Sequence, residues 1–341
     1  MSYLKQVHAK TDTRFWVNNP SFEECDLAIA EGAFGVTTNP AFCAKLFQSA
    51  PEYMHSVVQS VVKTEKDIDK AAEKIYHQVC KDLMDRYLPV YEKSGKTSGF
   101  VTVQEDPRRE EDHNYIIEAS LRAKELAPNY MAKIPITEFG LKVVAELVKH
   151  DVPICGTEIF SLSQVTALNN VYEESAKASS KRPPLYITHI TGIMDQYFAD
   201  LVKKESIQIS KEALDLAGTI IAQKVYRLIK DENMSGTFLG GGARGLQHFT
   251  NFVGGDLHVT INWSTAVELN ETQKEVQNGI DTAYPSSIVD ELLEKLPNFK
   301  RAYEPGAMSV ESFADYGPVM LFRTMFMNGY SRLVDSVYLA Q

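Results

Sequence analysis

Short apolar runs alternate along this chain with longer stretches of helical spacing. Arg14-Phe-Trp-Val-Asn18 reads as a first strand, and residues 21–31 follow with Phe22, Cys25, Leu27, Ile29 and Ala30 on a helical beat. Phe34-Gly-Val-Thr-Thr-Asn-Pro40 is a second strand running into an Asn-Pro turn, with a helix from Ala41. Residues 51–94 are long, charged and helical, a hairpin broken near Thr64. Gly99-Phe-Val-Thr-Val-Gln104 is a third strand, stopped by Asp106-Pro107. Residues 110–127 form a helix with acids in its first turn, as the helix dipole prefers. The same beat predicts strands at 130–134, 152–155, 185–189, 237–240 and 256–261. Helices are expected at 138–150, from a Ser161 cap to about 178, at 193–204 and at 211–230. Eight strand-then-helix units with short loops argue for a parallel sheet. Eight of them in one chain favour closure into a (β/α)₈ barrel. The segment after Pro285 reads as extra helices, notably 318–339, that cover the barrel. There is no internal repeat and no low-complexity linker. The chain therefore reads as one domain over 1–341, with a core at about 14–270, a helical insertion after the second strand and a C-terminal helical extension.

Composition narrows the class. The 341 residues are 44% hydrophobic and 23% charged, ample for a large core. Net charge is −10 and the sequence pI about 5.4, which disfavours partnership with nucleic acid or an anionic membrane. No run of 18 apolar residues predicts a membrane span, and the first residues lack the apolar core of a signal peptide. Cys25, Cys43, Cys80 and Cys155 are scattered and include no CxxC, so they read as reduced thiols of a cytoplasmic protein. No His, Cys and carboxylate cluster has metal-ligand spacing, so no metal is expected.

Candidate chemistry gathers around Asn129-Tyr-Met-Ala-Lys-Ile-Pro-Ile-Thr137. Met131, Ala132, Ile134 and Ile136 surround Lys133 with apolar groups, and burial lowers the pKa of an amine. A neutral amine attacks carbonyls and forms Schiff bases. The competing fate is a lysine that snorkels to solvent from a strand end. Gly240-Gly-Gly-Ala-Arg-Gly245 fits G-x-G-x-x-G, with Asp256 and Glu268 downstream, so a nicotinamide oxidoreductase is one reading. That fingerprint normally opens a doubly wound sheet, whereas here it falls in the seventh unit. A barrel keeps its usual anion site there, with Arg244 as a fork of donors. A close-packed turn with Arg244 on the surface is the plainer alternative. Thr37-Thr38-Asn39-Pro40 sets hydroxyls and an amide at a strand end, and Thr157, Ser161 and Gln164 follow the fifth strand. His150, Asp151 and Glu158 are expected in solvent, and His55, His77 and His113 carry no assigned role.

Four segments together resemble the transaldolase family, Schiff-base enzymes built on the TIM barrel. Gly35-Val-Thr-Thr-Asn-Pro40 is similar to G-V-T-S/T-N-P, and Lys133-Ile-Pro-Ile-Thr-Glu-Phe-Gly140 to K-I-P-A-T-x-x-G. Thr157-Glu-Ile-Phe-Ser-Leu-Ser-Gln164 is similar to T-L-x-F-S-x-x-Q, and Gly255-Asp-Leu-His-Val-Thr-Ile261 to the eighth-strand motif. The resemblance implies carbohydrate metabolism of the pentose phosphate kind, with no cofactor. Lys133 would attack a ketose carbonyl and hold a dihydroxyacetone unit until an aldehyde acceptor takes it. Thr157 joins the implied catalytic set. Thr37, Asn39, Thr188, Gly242 and Arg244 form the implied substrate-binding set, Arg244 holding phosphate. Family members are often oligomers, which leaves a homo-oligomer open.

The departures are specific. Where the family ends its first strand in an aspartate, this chain has Asn18, and where the third strand carries a glutamate it has Gln104. Some aldolase-type relatives share that glutamine. Asp12 is expected toward the other end of the barrel, about 20 Å away, and Glu105 on the opposite face of its strand. Cys155 replaces an asparagine, and Thr188-His-Ile-Thr-Gly-Ile193 lacks a second phosphate-binding arginine. An amide takes up no proton near neutral pH. His189, Tyr186 or a water then inherits the proton transfer. His189 is the preferred candidate, and a histidine packed behind the strand the alternative. Two further readings stay open: a sugar- or anion-binding barrel that has lost catalysis, and a substrate that is a sulfo-sugar or an uncharged ketose.

Overall fold

The computed structural model describes residues 1–341. Eight parallel strands close into a barrel: β1 (Arg14–Asn18), β2 (Val36–Thr37), β3 (Val101–Val103), β4 (Tyr130–Pro135), β5 (Ile154–Ile159), β6 (Leu185–His189), β7 (Thr237–Gly240) and β8 (His258–Ile261). β8 pairs with β1, Trp16 opposite Thr260, and completes the ring. Parallel neighbours need crossovers, and helices supply them. The (β/α)₈ class expected from the strand-helix beat is the architecture found.

The insertion after β2 comprises helices Phe42–Ser49, Pro51–Val62 and Ile68–Lys93. Its break falls near Thr64 as expected, and the Asp67 side chain restarts the helix by accepting from the Lys70 amide at 3.0 Å. The C-terminal helices are Ser286–Lys295, Pro297–Tyr303 and Gly317–Ala340. The last packs against the insertion and against helix Thr191–Glu205, across the mouth of the barrel. No helix is long and apolar enough to cross a membrane.

Three elements differ from the sequence expectation. The helix expected over 110–127 with acids in its first turn runs instead over His113–Lys124, with Asp112 as its cap, accepting from the Tyr115 amide at 3.1 Å, and no acid in the first turn. A first helix, Tyr3–Lys10, was not foreseen; its polar residues flank a buried stripe of Tyr3, Leu4 and Val7. β5 runs on to Ile159 instead of ending at Cys155, because pairing with β6 carries it past polar Thr157 and Glu158.

The inward residues form two layers, set by the two-residue period of a strand. The lower layer holds Trp16, Met131, Cys155, Tyr186 and Leu239 in one buried cluster. Trp16 Nε1 donates to His258 Nδ1 at 2.9 Å, and burial pushes that histidine down to about 3, so it stays neutral. Two residues beyond Trp16, Met131, Cys155, Tyr186 and His258 on their strands stand Asn18, Lys133, Thr157, Thr188 and Thr260. An apolar floor therefore lies beneath a polar chamber.

Thr137 caps helix Glu138–Lys149, its side chain accepting from the Gly140 amide at 3.2 Å. Gly140 presses so close to β4 that a Cβ there would lie 1.8 Å from the Pro135 carbonyl oxygen. The glycine seven residues after Lys133 thus serves packing of the strand that bears the lysine. Gly140→Ala is expected to lower stability by about 3 kcal/mol, read as an earlier urea midpoint; an unchanged midpoint contradicts this packing.

Candidate active site

Lys133 stands on β4, in the upper layer. It is 6% exposed, its Nζ donates to the Thr38 carbonyl at 3.1 Å, and it lies 5.3 Å from the centre of the Phe326 ring. Burial lowers its pKa to about 8, against opposing pulls from Cys155 and Glu158. Lys133 does not snorkel. It borders a cavity of about 180 Å³ at the C-terminal mouth, where barrels carry their sites.

Asn18, Thr37, Asn39, Thr188, Gly242 and Arg244, all expected at the site, line that cavity. On the β1, β2 and β8 wall a polar chain runs through Thr260, Thr37 and Asn18. The two hydroxyls are 2.6 Å apart, and Thr37 Oγ1 donates to Asn18 Oδ1 at 3.1 Å. Asn18 Nδ2 donates to Asn262 Oδ1 at 3.0 Å. Thr260 and Asn262 were missed, although alternation from His258 points to both. Asn39 Oδ1 accepts from the Ala41 amide at 3.0 Å, so part of its role is to shape the turn.

On the facing wall, Thr188 Oγ1 lies 3.1 Å from Cys155 Sγ. Gly242 has φ +67°, and a Cβ there would come within 2.6 Å of Ile190 Cγ2. Arg244 is exposed at the rim. Its Nε donates to Gln196 Oε1 at 3.1 Å and its Nη1 to the carbonyls of Gly242 and Ala243 at 3.4 and 3.3 Å, leaving Nη2 for an anion. The dinucleotide reading loses its structural context. The sheet is closed, and the glycines lead into a single helical turn, Gln247–Thr250.

Gln104 and Thr157 lie beside Lys133, behind the open cavity. Both are buried, and both Gln104 Oε1 and Thr157 Oγ1 lack a hydrogen-bond partner. Gln104 Nε2 donates to Glu158 Oε1 at 3.1 Å. Glu158, expected in solvent, is fully buried, which corrects that expectation. His189 is separated from the group. It follows Thr188, so its ring falls on the other face of β6, where Nδ1 lies 3.0 Å from Thr191 Oγ1. Burial pushes it down to about 3, and it does not border the cavity. It is not placed to move a substrate proton. Glu105 points away from the chamber and meets His77 at 3.0 Å, while the side chain of Asp12 is 79% exposed at the other end of β1.

Residues 15–312 match the sequence pattern of the Transaldolase/Fructose-6-phosphate aldolase family. The chain belongs to this family. A transaldolase of Thiobacillus denitrificans is 23% identical over 72% of both chains. One of Kocuria rhizophila is 30% identical over 42% of this chain and 39% of its own. One of Helicobacter pylori is 34% identical over 39% of this chain and 42% of its own.

The family match takes in all eight strands but stops before helix Gly317–Ala340. That helix supplies Phe322, Met325 and Phe326 to the cavity, at spacings of three and four residues that put them on one face. The sequence announced a covering helix but not which side chains it lowers into the mouth. In this member of the transaldolase/aldolase family the apolar ceiling over the lysine therefore comes from outside the matched segment. Arg244→Gln is expected to weaken inorganic phosphate binding roughly ten- to a hundredfold by calorimetry; undiminished binding moves the anion site elsewhere.

Proposed function

We propose that this protein forms a Schiff base between Lys133 and a ketose, and breaks the sugar by reversible aldol cleavage. The neutral amine adds to the ketose carbonyl, and loss of water leaves an iminium. That iminium draws the electron pair of the neighbouring carbon–carbon bond, while the hydroxyl on the far carbon releases its proton to water and becomes the carbonyl of the departing aldehyde. The dihydroxyacetone unit remains on Lys133 as an enamine. It is then transferred to an acceptor aldehyde, or protonated and released by water.

The observation that carries this reading is an enclosed primary amine, lowered to about 8, at the wall of a polar cavity. Family membership supports the same chemistry. Thr37, Asn39 and Thr188 are suited to substrate hydroxyls. The glycine loop and Arg244 suit a phosphate or a related anion at the far end of the sugar. One cationic fork serves that end, so a monoanionic or sulfonated sugar is within its scope. The competing reading, a barrel that only binds sugars, draws on Asn18 and Gln104, two amides where a proton acceptor is needed.

Borohydride reduction in the presence of fructose 6-phosphate, plain fructose or dihydroxyacetone separates the two readings. The expected result is a mass increase by the reduced adduct, mapped to Lys133 and absent from Lys133→Ala. Binding of the same sugars without any trapped adduct would favour the binding barrel.

A further inference from the structure

With amides at positions 18 and 104, the buried carboxyl group that meets Gln104 behind the chamber arises from β5. Glu158 follows Thr157 at a place where the pairing of β5 with β6 slips between Gly156 and Ile159. Its φ is +56°, a conformation that side-chain-bearing residues rarely adopt. Regular alternation after Thr157 would turn residue 158 to the helix layer. Instead its Oε1 accepts from Gln104 Nε2 at 3.1 Å, across the top of β4. The irregular backbone is clamped: Gln164 Nε2 donates to the Glu158 carbonyl at 2.8 Å, and Gln164 Oε1 accepts from the Phe160 amide at 3.0 Å.

The second oxygen of Glu158 has no partner, although the residue is fully buried. Gln104 Oε1 and Thr157 Oγ1 are in the same condition. These three orphaned atoms come from the strand ends that flank β4, which bears Lys133. The hydrogen bond between Gln104 and Glu158 brings two of their residues together, Thr157 is the chain neighbour of Glu158, and a buried water requires two to four such polar partners. The bond to Glu158 also fixes the glutamine: with Nε2 committed, its oxygen is the acceptor left for that water.

Resting on the Schiff-base reading above, we propose that Glu158 is the proton reservoir of this site, acting through a water held by Gln104 and Thr157. In the forward step the carbinolamine nitrogen lone pair expels the hydroxyl. The carbon–oxygen bond breaks, and the Glu158 proton passes through the water to the departing oxygen. The products are an iminium, a water molecule and the Glu158 carboxylate, so charge and atoms balance. In hydrolysis the carboxylate takes a proton back from the attacking water. Glu158 thus stands in for the carboxylate that Gln104 lacks, displaced by two strands.

The charged groups facing Glu158 are consistent with a stored proton. Burial raises its pKa well above the usual carboxylate range, Glu110 raises it further, and Gln104, Lys133 and Arg323 oppose the rise. Arg323, on the covering helix, is engaged elsewhere: its Nε lies 3.7 Å from Glu110 and its Nη1 donates to Glu111 at 3.0 Å. Lys133 gives its hydrogen bond to Thr38. This balance favours the protonated form of Glu158.

Exchange of ¹⁸O from labelled water into the carbonyl of fructose 6-phosphate reads dehydration and hydration directly, without any acceptor aldehyde. Glu158→Gln is expected to slow this exchange roughly a hundredfold or more. It should also lose the alkaline limb of the pH profile and keep the acid limb set by Lys133. The pair Glu158→Leu with Gln104→Glu, which returns a carboxyl group to β3, is expected to recover much of the rate. Wild-type exchange with an unaltered Glu158→Gln rate and profile overturns this inference and leaves the Schiff base standing. If Glu158→Gln does not fold, failure of a folded double variant to recover exchange overturns the inference instead. A wild-type protein that neither exchanges nor is trapped removes the Schiff-base reading and this inference with it.

Discussion

The structure depends on keeping one amine dry. The outward faces of the strands pack against helices, so the ring can enclose only what the inward faces offer. Trp16, Met131, Cys155, Tyr186 and Leu239 seal the floor, and Phe322 and Phe326 press from above. Lys133 is held between them. Lowering its pKa from 10.5 to about 8 means that the fold bears a penalty of about 3 kcal/mol for the charged form. The sign follows from linkage. The folded pKa lies below the unfolded one, so the penalty is full below pH 8 and fades as pH rises toward 10.5. The protein gives up stability near neutral pH and holds roughly a tenth of Lys133 as nucleophilic amine at pH 7.

That constraint orders the rest of the site. Around the amine the walls carry groups that donate and accept without net charge: Asn18, Thr37, Thr188 and Thr260. A carboxylate among them would pair with the ammonium and raise its pKa again. The acidic groups are accordingly set back. Glu105 is committed to His77 behind β3, and Glu158 lies buried against Gln104. The one cationic fork that lines the cavity, Arg244, stands at its rim.

Much of this was legible in the residues. The strand-helix beat carried the closed barrel; the apolar neighbours of Lys133 alone also suited a snorkelling lysine, and the surrounding motifs tipped the reading toward a buried amine. Alternation alone placed Glu105 on the far side of its strand. The same rule, applied to β6, separates Thr188 from His189 and would have removed the histidine from the candidates. What could not be read depended on long-range geometry or on a break in regularity. Glu158 is polar and follows a strand that looked finished, so solvent was the natural expectation; the slip at β5 reversed it. The aromatic ceiling lies almost two hundred residues after Lys133, and its helical stripe does not name what it covers. Tyr3–Lys10 is too rich in polar residues for its buried stripe to stand out.

The most direct test is to titrate Lys133 itself. Lysine amines labelled by reductive ¹³C-methylation can be followed by NMR against pH, with Lys133→Arg assigning the resonance. The structure predicts a midpoint near 8, below the ordinary lysine value of 10.5. A midpoint above 10 would mean a hydrated ammonium that cannot attack a carbonyl near neutral pH, and would contradict the account at its base.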